Sequence, residues 1–309
     1  MIDTTMNNKP RVHHFVPQFW IKRFISADGK LWGYEWSDDR IKQRSSKAMM
    51  QVFDLYTIQP GGVDDTSLET NELGVIDTAG ANAFDRVLSG DLGEPVRLDL
   101  ANFLAAQIMR DPGTLASYRP RAQEYALALL GAVDAQDYAS FAAALAAQFP
   151  GADIRQDEFD HIRALPTAER DIDNIIAALD AAGGMPELPF TDLIRDSKGR
   201  DIVRNALLGL DWQIRSDANA GFILGDAGVL FEKSDLGSGL RTPLSKTTAL
   251  YLTPSQTPRQ GISRAIAKSF EVDDLNYECA ARARLWLVGE EARMNALRKQ
   301  VAVRGLPRI

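Results

Sequence analysis

The chain has 309 residues, 45% of them hydrophobic and 25% charged, values that allow a sizeable core and argue against disordered or fibrous classes. Its single cysteine, Cys279, rules out an intramolecular disulfide, and three histidines beside one thiol argue against a structural zinc cluster. The net charge of −7 hides a segregation: residues 1–50 carry +4 and residues 282–309 carry +5, leaving −16 on residues 51–281, which bears on partners rather than on fold.

Met1 to Pro10 is polar and lacks an apolar signal core, and no apolar run is long enough to span a bilayer, so a cytoplasmic protein with no membrane partner is expected. The opening block His13-His14-Phe15-Val16-Pro17-Gln18-Phe19-Trp20-Ile21-Lys22-Arg23-Phe24 holds two of the three histidines. Adjacent imidazoles can titrate near neutrality, bind a metal or hold a phosphate. Leu31 to Trp36 alternates as a strand after the turn signal Asp28-Gly29, and Asp54 to Ile58 reads as a second strand, ended by Pro60-Gly61-Gly62. A helix is expected from Thr66 to about Ser89, opened by Thr66-Ser67-Leu68-Glu69. Pro95 opens another, with Val96, Leu100, Phe103, Leu104 and Ile108 at helical spacing and a stop near Asp111-Pro112-Gly113.

Residues 114–182 read as Ala-rich helical hairpins, followed by a helix from about Phe190 to Leu210. Asp211 to Arg215, Gly221 to Leu224 and Ala249 to Leu252 then read as strands. Helices around 258–283, a strand from Arg284 to Val288 and a basic last helix close the chain. The pattern predicts an α+β fold, mainly helical, with one small mixed or antiparallel sheet built from N-terminal and C-terminal strands. A single domain over 1–309 is expected, divided into an N-terminal motif and hairpin (1–60), a helical insert (61–210) and C-terminal strands and helices (211–309).

These blocks resemble an uncharacterised bacterial family, domain of unknown function 4238, over nearly the whole chain. The resemblance is carried by the His-His-x-Val-Pro-Gln opening and by Gln107-Ile108-Met109-Arg110-Asp111-Pro112, which looks like a Gln-x-x-Arg-x-Pro helix end. Trp212, Pro243-Leu244-Ser245 and Leu275-Asn276 resemble later blocks. Where the family often has Ser-Asp-x-Pro, this chain has Gly225-Asp226-Ala227-Gly228, keeping Asp226 without the rigid proline. The resemblance implies no known reaction.

Polar residues inside apolar patterns define the candidate site, because an unpaired polar group in a core costs about 1–3 kcal/mol. His13, His14, Glu69 and Asp226 are the candidate catalytic groups, and Gln18, Gln107, Arg110 and Asp211 the candidate binding groups. Glu69 and Glu72 share a helix face, as do Gln107 and Arg110. Strand alternation sends the two histidines to opposite faces, and His14, nearer Pro17, is the preferred functional one. The plainer alternatives are a capping role for Glu69, a helix-end charge for Arg110, a turn role for Asp211 and a local core for Phe15, Phe19, Trp20, Phe24, Trp32, Tyr34 and Trp36. His161 reads as a helix-surface residue and Cys279 as buried and inert. Residues 27–70 contain neither Asn nor His, so no His-Asn-His nuclease motif is complete.

Two function classes stay open. One is a metal-dependent hydrolase acting on phosphodiesters, a nuclease-like effector in bacterial defence or conflict, with Mg²⁺ or Mn²⁺ as its cation and nucleic acid or another phosphate-containing ligand as its partner. The other is a non-catalytic binding or sensor module that holds an anionic ligand, a nucleic-acid end or a peptide in a polar cleft.

Overall fold

The computed structural model describes residues 12–53, 72–112, 124–149, 154–166, 197–219, 221–232 and 236–304. In chain order its main elements are β1 (Val12–His14), α1 (Gln18–Ile21), β2 (Trp32–Glu35), β3 (Arg40–Gln43), β4 (Gln51–Phe53), α2 (Gly74–Ser89), α3 (Glu94–Met109), α4 (Tyr138–Gln148), α5 (Gln156–Ala164) and α6 (Ser197–Leu208). There follow β5 (Leu210–Ser216), β6 (Leu224–Gly225), β7 (Leu230–Phe231), β8 (Leu240–Ser245), β9 (Thr248–Pro254), β10 (Ser263–Ile266), α7 (Ser269–Arg282), β11 (Trp286–Val288) and α8 (Glu291–Arg304). The expected strand at Asp54 to Ile58 lies outside the described residues.

The chain contacts define two compact units: Met1–Tyr56, Thr66–Pro112 and Ile194–Ile309 form one, and Thr57–Asp65 with Gly113–Leu193 the other. The separately packed insert is thus narrower than 61–210, because α2, α3 and α6 belong with the strands. Within the second unit, α4 and α5 bury Leu129, Phe141, Leu145, Phe159 and Ile162 around a small core. Asp137 caps α4 by accepting the Ser140 amide at 2.8 Å, and His161 is exposed on α5.

The first unit is α+β, but it holds three sheets where one was expected. A five-stranded sheet runs β10-β5-β9-β8-β7, a four-stranded sheet runs β3-β2-β11-β6, and β1 pairs with β4 alone. N-terminal and C-terminal strands do share a sheet, since β2 pairs antiparallel with β11, Trp286 opposite Glu35. The helix expected from about 258 onward begins only at Ser269. Ser263–Ile266 instead extends parallel to β5, with Arg264 opposite Ile214, because Pro258 and Gly261 interrupt a helix there and the neighbouring strand supplies backbone partners.

Sequence explains the elements nearest the site. β5 alternates, with Leu210, Trp212 and Ile214 buried and the residues between them half-buried. α2 ends at Gly90, whose φ of +104° a side chain would resist; the Asp91 amide then closes back on the Arg86 carbonyl at 2.9 Å. α3 has Pro95 in its first turn and is buried on nearly every side, from Val96 to Met109. Phe19, Trp20, Phe84 and Phe103 form an edge-on aromatic cluster with ring centroids 5.3 to 5.7 Å apart, a geometry that suits their quadrupoles. The opening aromatics are therefore largely core.

Gly80 lets α2 approach this cluster, because a Cβ at that position would collide with the Phe103 ring. An exposed helical Gly→Ala change stabilises by about 1 kcal/mol. Gly80→Ala is expected to do the opposite, lowering stability by about 1–3 kcal/mol through overpacking. Urea denaturation checks the sign.

Candidate functional site

β1 places the two histidines on opposite faces, His13 opposite Val52 and His14 opposite Gln51. His13 is fully buried, whereas His14 is half-buried. The Phe15 amide continues the pairing by donating to the Met50 carbonyl at 3.1 Å. Met50 is itself fully buried and sits at φ +52°, a left-handed conformation that a long side chain adopts only under constraint. His14 Nε2 is sealed from solvent and has no hydrogen-bond partner. Burial holds the His14 pKa below its ordinary value, while hydrogen bonding of the ring to the Ser46 and Lys47 backbone and the charge of Asp77 pull the other way.

The end of α3 meets this block. The Gln107 side-chain amide donates to the Phe15 carbonyl at 2.8 Å, and Arg110 Nε donates to Gln107 Oε1, also at 2.8 Å. Another guanidinium nitrogen of Arg110 lies 2.7 Å from the Asp77 carboxylate, and Arg110 also stands over the Phe103 ring at 5.6 Å. Gln107 and Arg110 are both buried, and the Gln107 amide is engaged at both its nitrogen and its oxygen, as a core demands. Asp77, in the first turn of α2, was not singled out by the sequence. An acid there is ordinary helix chemistry, so only its pairing with Arg110 marks it.

The other sequence candidates take definite places. Asp226 is buried, and its carboxylate accepts the amides of Arg284, Leu285 and Trp286 at 2.9, 2.7 and 3.0 Å. It braces the entry to β11, with burial raising its pKa against the pull of those amides. Arg284 in turn reaches Asp111 at 3.0 Å, linking this brace to the residue after Arg110. The same loop closes at Gly228, where a Cβ would stand 3.4 Å from the Trp20 ring and 3.5 Å from Gln107 Nε2. Gln18 Oε1 accepts from the Ser46 hydroxyl at 3.4 Å. Asp211 is engaged elsewhere: it accepts the Arg259 amide at 2.8 Å, the main cause of its lowered pKa. Glu72 lies 3.7 Å from Arg200, and Glu69 lies outside the described residues. Among those residues, no three His, Cys, Asp or Glu side chains gather as a metal-holding group. Cys279 is buried, its thiol pushed up to about 12 by desolvation.

The basic ends of the chain do meet, through β2–β11 pairing and an Arg298–Asp39 ion pair at 3.1 Å. Much of their charge is answered locally, because Lys30 pairs with Asp28, Lys42 with Asp38 and Arg23 with Asp85.

The model of one family, described as protein of unknown function (DUF4238), matches residues 12–293, and the chain belongs to that family. No curated protein and no solved structure matches the chain. Among the described residues, no helix is long and apolar enough to cross a membrane.

Two outcomes test this geometry. Asp226→Ala strands three amides and is expected to lower stability by about 1–3 kcal/mol for each donor left unpaired. Asp226→Asn retains one acceptor oxygen and should lose less, so the order of the two melting temperatures is the readout. For His14, the lowered folded pKa means the folded chain binds its proton less readily than the unfolded chain. Its contribution to stability is complete above the unfolded value, about 6.5, and is lost as pH falls through the folded one. Between about pH 7.5 and about pH 5.5 the wild type should therefore lose more stability than His14→Asn, as chemical denaturation at each pH would measure.

Proposed function

We propose that this member of the family is a non-catalytic binding or sensor module that takes an anionic ligand, a nucleic-acid end or other phosphate-bearing group, at His14. The observation that carries the reading is the buried, unpartnered Nε2 of His14 on a half-buried residue. A buried polar atom without a protein partner calls for an external one. Lys47 is exposed and adjoins the imidazole through its backbone. Gln107, Arg110 and Asp226 serve the reading as its frame, since their polar atoms face one another or the main chain. A bacterial cytoplasmic setting is part of the proposal, supported by the opening block and by the lack of any cysteine pair.

A second reading, a phosphodiester hydrolase using Mg²⁺ or Mn²⁺, is favoured by one observation. Burial shifts the His14 imidazole toward its free-base form, the form a general base needs. One experiment separates the two: fluorescence anisotropy of a 5′-phosphorylated single-stranded DNA, with and without Mg²⁺ or Mn²⁺, followed by a gel. The binding reading expects retention without cleavage. It also expects His14→Ala to weaken binding by about tenfold to a hundredfold, the loss of one charge-assisted hydrogen bond, with little change in melting temperature. Metal-dependent cleavage abolished in His14→Ala would replace it with the hydrolase reading, and absence of binding would overturn it.

A further inference from the structure

The outer face of the β1–β4 ribbon carries more than His14. Register sets Val12 opposite Phe53, His13 opposite Val52 and His14 opposite Gln51, and successive residues of a strand alternate between faces. His13 is fully buried and Val52 packs against the core, so these two define the inner face. Val12, His14, Gln51 and Phe53 therefore share the outer one. A one-residue slip would exchange the two sets, and the bond from Gln107 to the Phe15 carbonyl holds the strand in place.

These four residues form two rungs of different chemistry. In one, His14 with its orphaned ring nitrogen stands opposite the carboxamide of Gln51, both residues half-buried; side chains directly opposite are about 5 Å apart at Cβ. In the other, Val12 is 43% exposed and Phe53 61%, so most of an aromatic ring faces solvent with an aliphatic side chain across from it. Two residues along a strand cover about 7 Å, close to the span from a nucleobase to the phosphate of the same nucleotide. Aromatic rings on strand faces stack bases of any sequence.

We infer that the ligand of the His14 site is a phosphate-bearing terminal nucleotide, its phosphate at the His14–Gln51 rung and its base stacked on Phe53. This rests on the proposed anion binding at His14 and names the ligand class. An anion alone engages only the first rung, and an apolar ring alone only the second. A nucleotide end engages both, because its ring and its charge are joined at the spacing of the rungs. Gln51 donates its amide to the phosphate, and Phe53 touches the base.

The test is fluorescence anisotropy of the full chain with two 5′-phosphorylated single-stranded DNA probes, identical except that one has an abasic 5′-terminal residue. The wild type is expected to bind the intact end about tenfold more tightly, the worth of one stacked base. Phe53→Leu should weaken the intact end about tenfold and leave the abasic end unchanged, Phe53→Trp should keep the preference, and Gln51→Leu should weaken both probes. Free thymidine monophosphate should displace the intact-end probe far better than inorganic phosphate does. Equal binding of the two probes by the wild type would overturn the inference, and so would equal displacement by the two competitors or an equal loss for both probes in Phe53→Leu. The wild-type comparison needs no variant to fold. It also separates this inference from the reading beneath it: an abasic end bound as tightly as the intact one, and lost in His14→Ala, leaves an anion site without a base site. Failure of both probes to bind would overturn the two together.

Discussion

The buried guanidinium of Arg110 is the constraint on which the rest of the first unit depends. A cation removed from water is penalised by several kcal/mol unless its donors are met by acceptors of good geometry. Arg110 meets the requirement with the Gln107 amide oxygen, the Asp77 carboxylate and the Phe103 ring. Because Gln107 turns its other end to the Phe15 carbonyl, neutralising the charge and placing β1 are one event. A two-stranded ribbon is marginal by itself in water. Here β1 and β4 are held by a hydrogen bond from the most buried helix of the unit, and the strained Met50 is held in the same grip.

The apolar surroundings make that node rigid. Phe103 lies one turn before Gln107 on the same face of α3 and packs edge-on against Phe84 and Trp20. Trp20 in turn donates its ring N–H to the Pro243 carbonyl at 2.7 Å, joining α1 to β8. Gly80 and Gly228 remove side chains where α2 and the Asp226 loop come closest to this cluster. A polar thread thus runs from Phe15 through Gln107 and Arg110 to Asp77, and from Asp111 through Arg284 to Asp226, inside a tight aromatic shell.

Sequence made part of this legible. Gln107 and Arg110 broke an otherwise apolar helix pattern, and such interruptions survive in cores only when paired, but the opening-block partner of Gln107 is the Phe15 carbonyl, a main-chain group that no side-chain pattern marks. The alternation of β1 likewise separated His13 from His14. Asp77 escaped notice because an acid in the first turn of a helix is favourable wherever it points. Asp226 was legible as a polar residue beside apolar ones, yet its engagement by the Arg284, Leu285 and Trp286 amides is made across nearly sixty positions, a separation no local pattern encodes. The same reason underlies the sheets. The parallel pairing of Ser263–Ile266 with β5 and the division of the strands into separate sheets are set by distant partners.

Hydrogen exchange of the Phe15 amide in Gln107→Leu, a change that keeps the side chain's bulk and removes both of its bonds, tests the central role of this node most directly. That amide donates to Met50, and its own carbonyl is the group Gln107 holds. The account predicts that protection falls more at Phe15 than at Ile214 or Leu250, which face each other across β5 and β9. Protection unchanged at Phe15, or lowered equally at all three amides, would contradict it.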